Sequence, residues 1–185
     1  FYGELPVPED IRFVQQTKVG GFENSELVQQ EIAGFLLETM HADTLYLVGA
    51  GSTLAGVMAG MGLEATLLGI DVIRNGEVIA RDATEKALLS LLQPGVQAQI
   101  LVTAIGGQGY IFGRGNQQLS AQVIKRVGLT NIQIVATKTK LTGLGGRPLL
   151  VDTGDAVLDR ELCGLVSVLA GFDDHVLYRI SDSMD

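Results

Sequence analysis

Two glycine-rich stretches carry residue types whose spacing could do chemistry. One is Gln99–Gln118, QILVTAIGGQGYIFGRGNQQ. Gly106, Gly107, Gly109, Gly113 and Gly115 fall within ten residues there, interleaved with Gln108, Arg114, Asn116, Gln117 and Gln118. Glycine lets a backbone turn with positive φ or approach another group closely. The run therefore exposes main-chain N–H donors, and the arginine and amides add side-chain donors. That donor set suits an anionic group such as a phosphate. The other stretch is Gly49-Ala50-Gly51-Ser52-Thr53, ahead of a helical run. Backbone N–H groups, two hydroxyls and the positive end of a helix dipole would converge on a phosphate. The alternative is that Ser52 or Thr53 simply caps the helix. The third glycine of the Gly-x-Gly-x-x-Gly fingerprint is absent, and no Gly-Lys-Ser/Thr follows, so neither standard nucleotide loop is present.

Two acids could act beside these loops. Asp71 and Asp82 are the catalytic candidates, placed to orient or deprotonate a sugar hydroxyl or to meet a metal-bound phosphate. Asp82 also reads as a helix N-cap. Asp152 and Asp155 sit in a second acidic turn after a strand, where Asx-turn geometry explains both without a ligand. His41 and His175 are far apart, and no His/Cys cluster has metal-ligand spacing, so no protein metal site is expected. No Ser/His/Asp or Cys/His set can be assembled.

The elements that must position these residues alternate between strand and helix. The pattern predicts a helix over Ser25–Met40 capped by Asn24 or Ser25, a strand Thr44–Val48, and a helix from Thr53 or Leu54 to Met61 closed by Gly62. It continues with a strand Ala65–Ile70 and a hairpin over Val72–Ile79 around Asn75-Gly76, the strongest short hairpin signal. A helix then begins after Asp82, with Glu85 at the capping-box position, and runs to Leu92. Strand Ile100–Ile105, helix Ala121–Val127 capped by Ser120, strand Ile132–Thr137, loop Leu141–Gly146 and strand Leu149–Val151 follow. Leu165–Leu169 and Val176–Ile180 form a terminal hairpin, and Ser181–Asp185 should fray. Phe1–Gly21 reads as irregular, bounded by Pro6 and Pro8, with a possible strand Arg12–Val19. The expected fold class is α/β: a mostly parallel sheet flanked by helices, with antiparallel hairpins near Asn75-Gly76 and at the C-terminus. Residues 1–24 are expected to be a lead-in segment and 25–185 one ligand-binding domain. Parallel-sheet logic puts Val48, Ile70, Ile105 and Thr137 on one rim, so the loops after them should converge.

Composition narrows the function. The chain has 185 residues, 46% hydrophobic and 18% charged, enough for a sizeable core. A net charge of −8 without a Lys/Arg cluster excludes a nucleic-acid surface. Lys138-Thr139-Lys140, the one basic run, reads as a solvated edge rather than a phosphate stripe. Cys163 is the only cysteine, which fits a reducing compartment, the cytoplasm, and inert packing. No apolar run reaches the roughly 20 residues of a membrane span. The opening Phe1-Tyr2-Gly3 has neither an initiator methionine nor a signal-peptide pattern, and the chain is expected to be part of a longer protein.

IGGQGYIFGRGNQQLS (105–120), VATKTKLTGLGGRPLLVDTGD (135–155) and DTLYLVGAGSTLAGVMAGMGLEATLLGIDVIRNGEVIARDATEKALL (43–89) together resemble the C-terminal half of the ATP-NAD kinase-like family of the AcoX type. The resemblance implies a predicted ATP- or polyphosphate-dependent NAD kinase, with NAD and ATP with Mg²⁺ as cofactors. In the superfamily a Gly-Gly-Asp-Gly-Thr motif in an N-terminal domain handles the nucleotide phosphates. This sequence lacks it. The resemblance therefore implies a missing N-terminal kinase domain as partner, and little activity from this chain by itself. A homo-oligomer is also expected. The residues implied in dinucleotide binding are Gly49, Gly51, Ser52, Thr53, Gly106, Gly107, Gln108, Gly109, Arg114, Asn116 and Gln117. Better-known NAD kinases have a β-sandwich C-terminal domain, the alternative to the α/β class. The layout is also similar to ribose-5-phosphate isomerase and glucosamine-6-phosphate deaminase domains, where a Gly-Ser-Thr loop grips a sugar phosphate. That similarity implies a sugar-phosphate-binding function instead, and a third possibility is an oligomerisation module.

Overall fold

The central strands of this chain, Leu45–Val48 and Ala98–Val102, are short and mostly apolar, so they must be covered on both faces. β1 (Leu45–Val48) is LYLV and buried throughout. In a computed structural model describing residues 23–183, its alternation sorts the core. Leu45 and Leu47 enter one apolar cluster, and Tyr46 and Val48 enter another. The second cluster is closed by Ile32, Ala33 and Leu36 of α1 (Ser25–Thr39) and by Leu54, Val57 and Met58 of α2 (Ser52–Gly60). The first is closed by Leu88 of α3 (Glu85–Leu91), Val123 and Ile124 of α4 (Ala121–Val127), Leu141 of α5 (Lys138–Gly143) and Leu158 of α6 (Ala156–Leu162).

The nine strands form one sheet in the order β3-β2-β1-β4-β6-β8-β9-β7-β5. They are β2 (Asp71–Arg74), β3 (Glu77–Ala80), β4 (Ala98–Val102), β5 (Tyr110–Phe112), β6 (Ile132–Val135), β7 (Leu149–Val151), β8 (Gly164–Gly171) and β9 (Asp174–Asp182). Five of the eight pairings are parallel, and the antiparallel ones are β1–β2, β2–β3 and β8–β9. The α/β class and both expected hairpins are present, and the sandwich alternative is not. Asn75 and Gly76 both take positive φ (51° and 77°), as a type I′ turn requires.

Several expectations need correction. Ala65–Ile70 is not a strand; the strand begins at Asp71 and pairs antiparallel with β1, Val48 opposite Asp71. Asp82 does not cap α3. It has φ 47°, and Thr84 accepts from Ala87 N at 3.1 Å instead. Part of the loop Leu141–Gly146 is helix α5, and α6 and β5 were not expected at all. Ser181 and Asp182 continue β9 rather than fray. Pro6, Pro8, the strand Arg12–Val19 and the last two residues of the tail lie outside the described residues. No helix among the described residues is long and apolar enough to cross a membrane.

Candidate functional site

From β1 the chain moves to β2 and β3 on one side, while β4, β6 and β8 are laid down on the other. The order reverses between β1 and β4, and loops at such a reversal leave a crevice beyond the strand ends. Both glycine loops leave the sheet there. Gly49 N–H donates to Leu101 O at 2.8 Å, which continues the β1–β4 pairing by one residue. After β4, Ile105 N–H donates to Tyr110 O at 2.7 Å, so the end strand β5 is brought back beside the segment leaving β4.

Asn116 holds the two loops together. It is fully buried. Its Oδ1 accepts from Ala50 N–H at 3.0 Å, 66 residues away, and its Nδ2 donates to Ile111 O at 2.9 Å. Gly49 packs closely beside it: a Cβ there would stand 3.1 Å from Asn116 Oδ1 and 3.3 Å from Leu101 O. Ile105 fills the space between the loops: its side chain lies 3.9 Å from a Cβ position on Gly51 and 2.9 Å from one on Gly115.

The N-terminus of α2 opens into this junction. Its N-cap is Gly51, with φ 129°, and no side chain caps it. Neither Ser52 nor Thr53 does so, which overturns the capping alternative. Ser52 is exposed and Thr53 buried. A helix start without a cap leaves its first N–H donors to water or a ligand. Next to Gly51, the Cγ2 of Thr103 lies 2.6 Å from where a Cβ would stand, and Thr103 Oγ1 is buried with no hydrogen-bond partner. Such groups are rare and ask for a partner.

The other expected site residues divide. Gly106, Gly107 and Gln108 are exposed, and Gly109 is buried against Leu144. Arg114 is exposed, donates weakly to Gln108 Oε1 at 3.4 Å and lies over the Tyr110 ring, 5.0 Å from its centre. Gln117 is exposed. Asp71 lies at the same rim, beside Val48, but is 2% exposed. Its oxygens accept from Thr66 N–H (2.6 Å), Thr66 Oγ1 (2.6 Å) and Asp82 N–H (3.0 Å). Asp82 is exposed and held against Gly69. Asp152 is exposed, and its N–H donates to Phe112 O at 3.2 Å. Asp155 caps α6 and pairs with Lys125 Nζ at 2.6 Å, and those hydrogen bonds hold its carboxyl below the usual range.

Sequence reasoning missed Thr103 and Arg147. Thr103 was legible as the one polar residue in an apolar run. Arg147 Nη2 donates to Gly107 O at 3.0 Å and so fastens the glycine loop. Tyr178 OH donates to Arg147 O at 2.6 Å, and burial holds that phenol above its ordinary range. The solvated-edge reading of Lys138-Thr139-Lys140 fails: both lysines are partly buried. Among the described residues, no three His, Cys, Asp or Glu side chains gather where they could hold a metal ion.

A family model described as the ATP-NAD kinase C-terminal domain covers residues 41–180. No curated protein and no solved structure matches the chain.

Proposed function

The chain belongs to the ATP-NAD kinase C-terminal domain family, and from that premise we propose that it supplies the dinucleotide-binding part of an enzyme converting NAD to NADP. The observation that carries the reading is the Asn116 tie. It joins the Gly49–Thr53 and Gly113–Asn116 loops at the reversal of strand order. In this reading a phosphate of the nucleotide sits over the uncapped start of α2, with Ser52, Thr53 and Thr103 as hydroxyl partners. Gly106–Gly109 lets the chain of phosphates pass close to backbone, and Gln108, Arg114 and Gln117 add donors at the exposed rim. Arginine suits this place because its planar fork matches phosphate oxygens.

The reaction moves a γ-phosphoryl group from ATP, or a phosphoryl from polyphosphate, to the 2′-hydroxyl of the adenosine ribose. Asp82 is the carboxylate left exposed to orient that hydroxyl. Asp71, already accepting three hydrogen bonds, positions it through the Asp82 N–H. Phosphoryl transfer depends chiefly on positioning and charge neutralisation. Mg²⁺ enters with the phosphates of ATP, as this ion usually does.

The test is calorimetric titration with NAD of this chain joined to a family N-terminal half that carries Gly-Gly-Asp-Gly-Thr. Binding that Arg114→Ala weakens several-fold supports the reading. Silence at millimolar NAD rejects it.

A further inference from the structure

α5 carries two lysines two residues apart, and their surroundings differ. Lys138 faces carboxylates: its Nζ lies 3.7 Å from Asp174 Oδ2, and Glu23 and Glu31 also act on it. Lys140 points elsewhere, since residues i and i+2 of a helix do not share a face. It is partly buried, and among the described residues no carboxylate offsets its charge. Burial alone acts on that ammonium and pushes it below its ordinary value. Taking an ammonium out of water without a partner is unfavourable. A lysine held so, at the rim of a candidate site, invites an external anion.

Position identifies the anion. β6 runs parallel to β4, with Val102 opposite Ile134, so α5 leaves the sheet at the same rim as the loop after β4. Leu144, one helical turn beyond Lys140, lies 3.0 Å from a Cβ position on Gly109. Arg147, three residues further, grips Gly107 O. The end of α5 is thus seated on the Gly106–Gly109 loop, with Lys140 one turn from that contact. Thr137 Oγ1 accepts the Lys140 N–H at 3.2 Å and fixes the base of the side chain. A compact ammonium on a flexible stem is a common phosphate partner.

We propose that Lys140 is a phosphate-binding residue, whose ammonium meets a diphosphate group held at the junction of the two glycine loops. This rests on the reading that the junction seats phosphate. It adds a third element, the helix after β6, to the two loops, and it names the group recognised: the diphosphate shared by ATP, NAD and inorganic pyrophosphate.

Inorganic pyrophosphate, titrated calorimetrically into this chain at low ionic strength, is the probe. The wild type should bind. Lys140→Met should weaken binding at least about tenfold and flatten its salt dependence, in line with one lost charge-assisted contact. Lys140→Arg should restore most of it, and Lys138→Met should change it little. Pyrophosphate should also shield Lys140 of the wild type from acetylation, read by mass spectrometry, which serves if Lys140→Met fails to fold. No pyrophosphate binding by the wild type, equal binding by Lys140→Met, equal losses at both lysines, or unshielded acetylation would each overturn the proposal. Lys140-dependent pyrophosphate binding beside silence towards NAD keeps the anion site and sinks the dinucleotide reading. NAD binding that ignores Lys140→Met does the reverse.

Discussion

Two of the turns that lead from a strand into a helix complete that helix in different ways. Asp152–Asp155, between β7 and α6, caps its own helix. Asp155 Oδ1 accepts from Val157 N–H and Leu158 N–H at 3.1 Å each, and its other oxygen meets Lys125. Thr153 donates from N–H and Oγ1 to Asp159 Oδ1 at 3.0 and 2.6 Å. Gly49–Thr53, between β1 and α2, does not. Its Ala50 N–H is satisfied by Asn116 from a distant loop, its helix has no side-chain cap, and Thr103 Oγ1 beside it has no partner. A turn whose aspartate caps the helix that follows and pairs with a lysine is structural. One that borrows its support and leaves donors open is where a ligand gains binding energy, because those groups have little to lose.

The strongest test of that contrast is Asn116→Ala. It leaves Ala50 N–H and Ile111 O unpaired in a buried place, so chemical denaturation should show a loss of about 2–4 kcal/mol. Pyrophosphate binding should vanish with it, because the loops lose their tie. Asp159→Ala is the matching cut in the other turn. It strips Thr153 of its acceptor and should lower stability by about 2 kcal/mol, yet pyrophosphate affinity should stay within twofold of wild type. If Asp159→Ala abolished binding while Asn116→Ala spared it, the roles given to the two turns would be reversed.

A smaller effect is pH-dependent. The Asp155 carboxyl is held below its ordinary value of 3.8, first by the hydrogen bond from Lys125 and then by the Leu158 N–H. A lowered folded value means the stabilisation is complete above the unfolded value and is lost as pH falls through the folded one. Thermal melts of wild type and Asp155→Asn should therefore differ at neutral pH and converge as pH drops below 3.8. A difference that persists undiminished into strong acid would show that the charge is not what Asp155 contributes.

The sequence pattern reached some of this and not the rest, for physical reasons. β1, α1 and the Asn75-Gly76 hairpin were legible because apolar spacing and turn chemistry are local. α5, α6 and β5 were not. α5 and β5 have six and three residues, too few for a period to declare itself, and α6, though as long as α3 and α4, was hidden because its N-cap Asp155 also reads as an Asx turn. Tertiary contacts hold β5 and the end of α5, as when Leu150 N–H donates to Gly109 O at 2.9 Å and Leu144 packs on Gly109. The cap of α3 went to Thr84 because Asp71, eleven residues before Asp82, takes the Asp82 N–H and sets that residue's backbone. Asn116 was visible as an amide in a glycine loop. That it points inward depends on Ala50, and no local pattern reports a partner 66 residues away. Lys140 was hidden among neighbours that look like an ordinary charged edge, since burial of one lysine and pairing of the other are properties of the assembled rim.

Arg114→Ala should have the smallest effect on the fold, and for that reason it discriminates best. Its guanidinium is exposed, its bond to Gln108 Oε1 is long, and its remaining contact is the face of Tyr110. An exposed cation over an aromatic ring is worth roughly 0.5–1 kcal/mol, so the denaturation midpoint should hardly move. If the glycine junction is an anion site, phosphate-bearing ligands should nevertheless bind several-fold more weakly, with the deficit shrinking at high salt. If these loops instead meet another protein surface, ligand affinity should be untouched and sedimentation velocity should show a change of assembly. One substitution on a side chain the fold barely uses thus separates a binding rim from an interface.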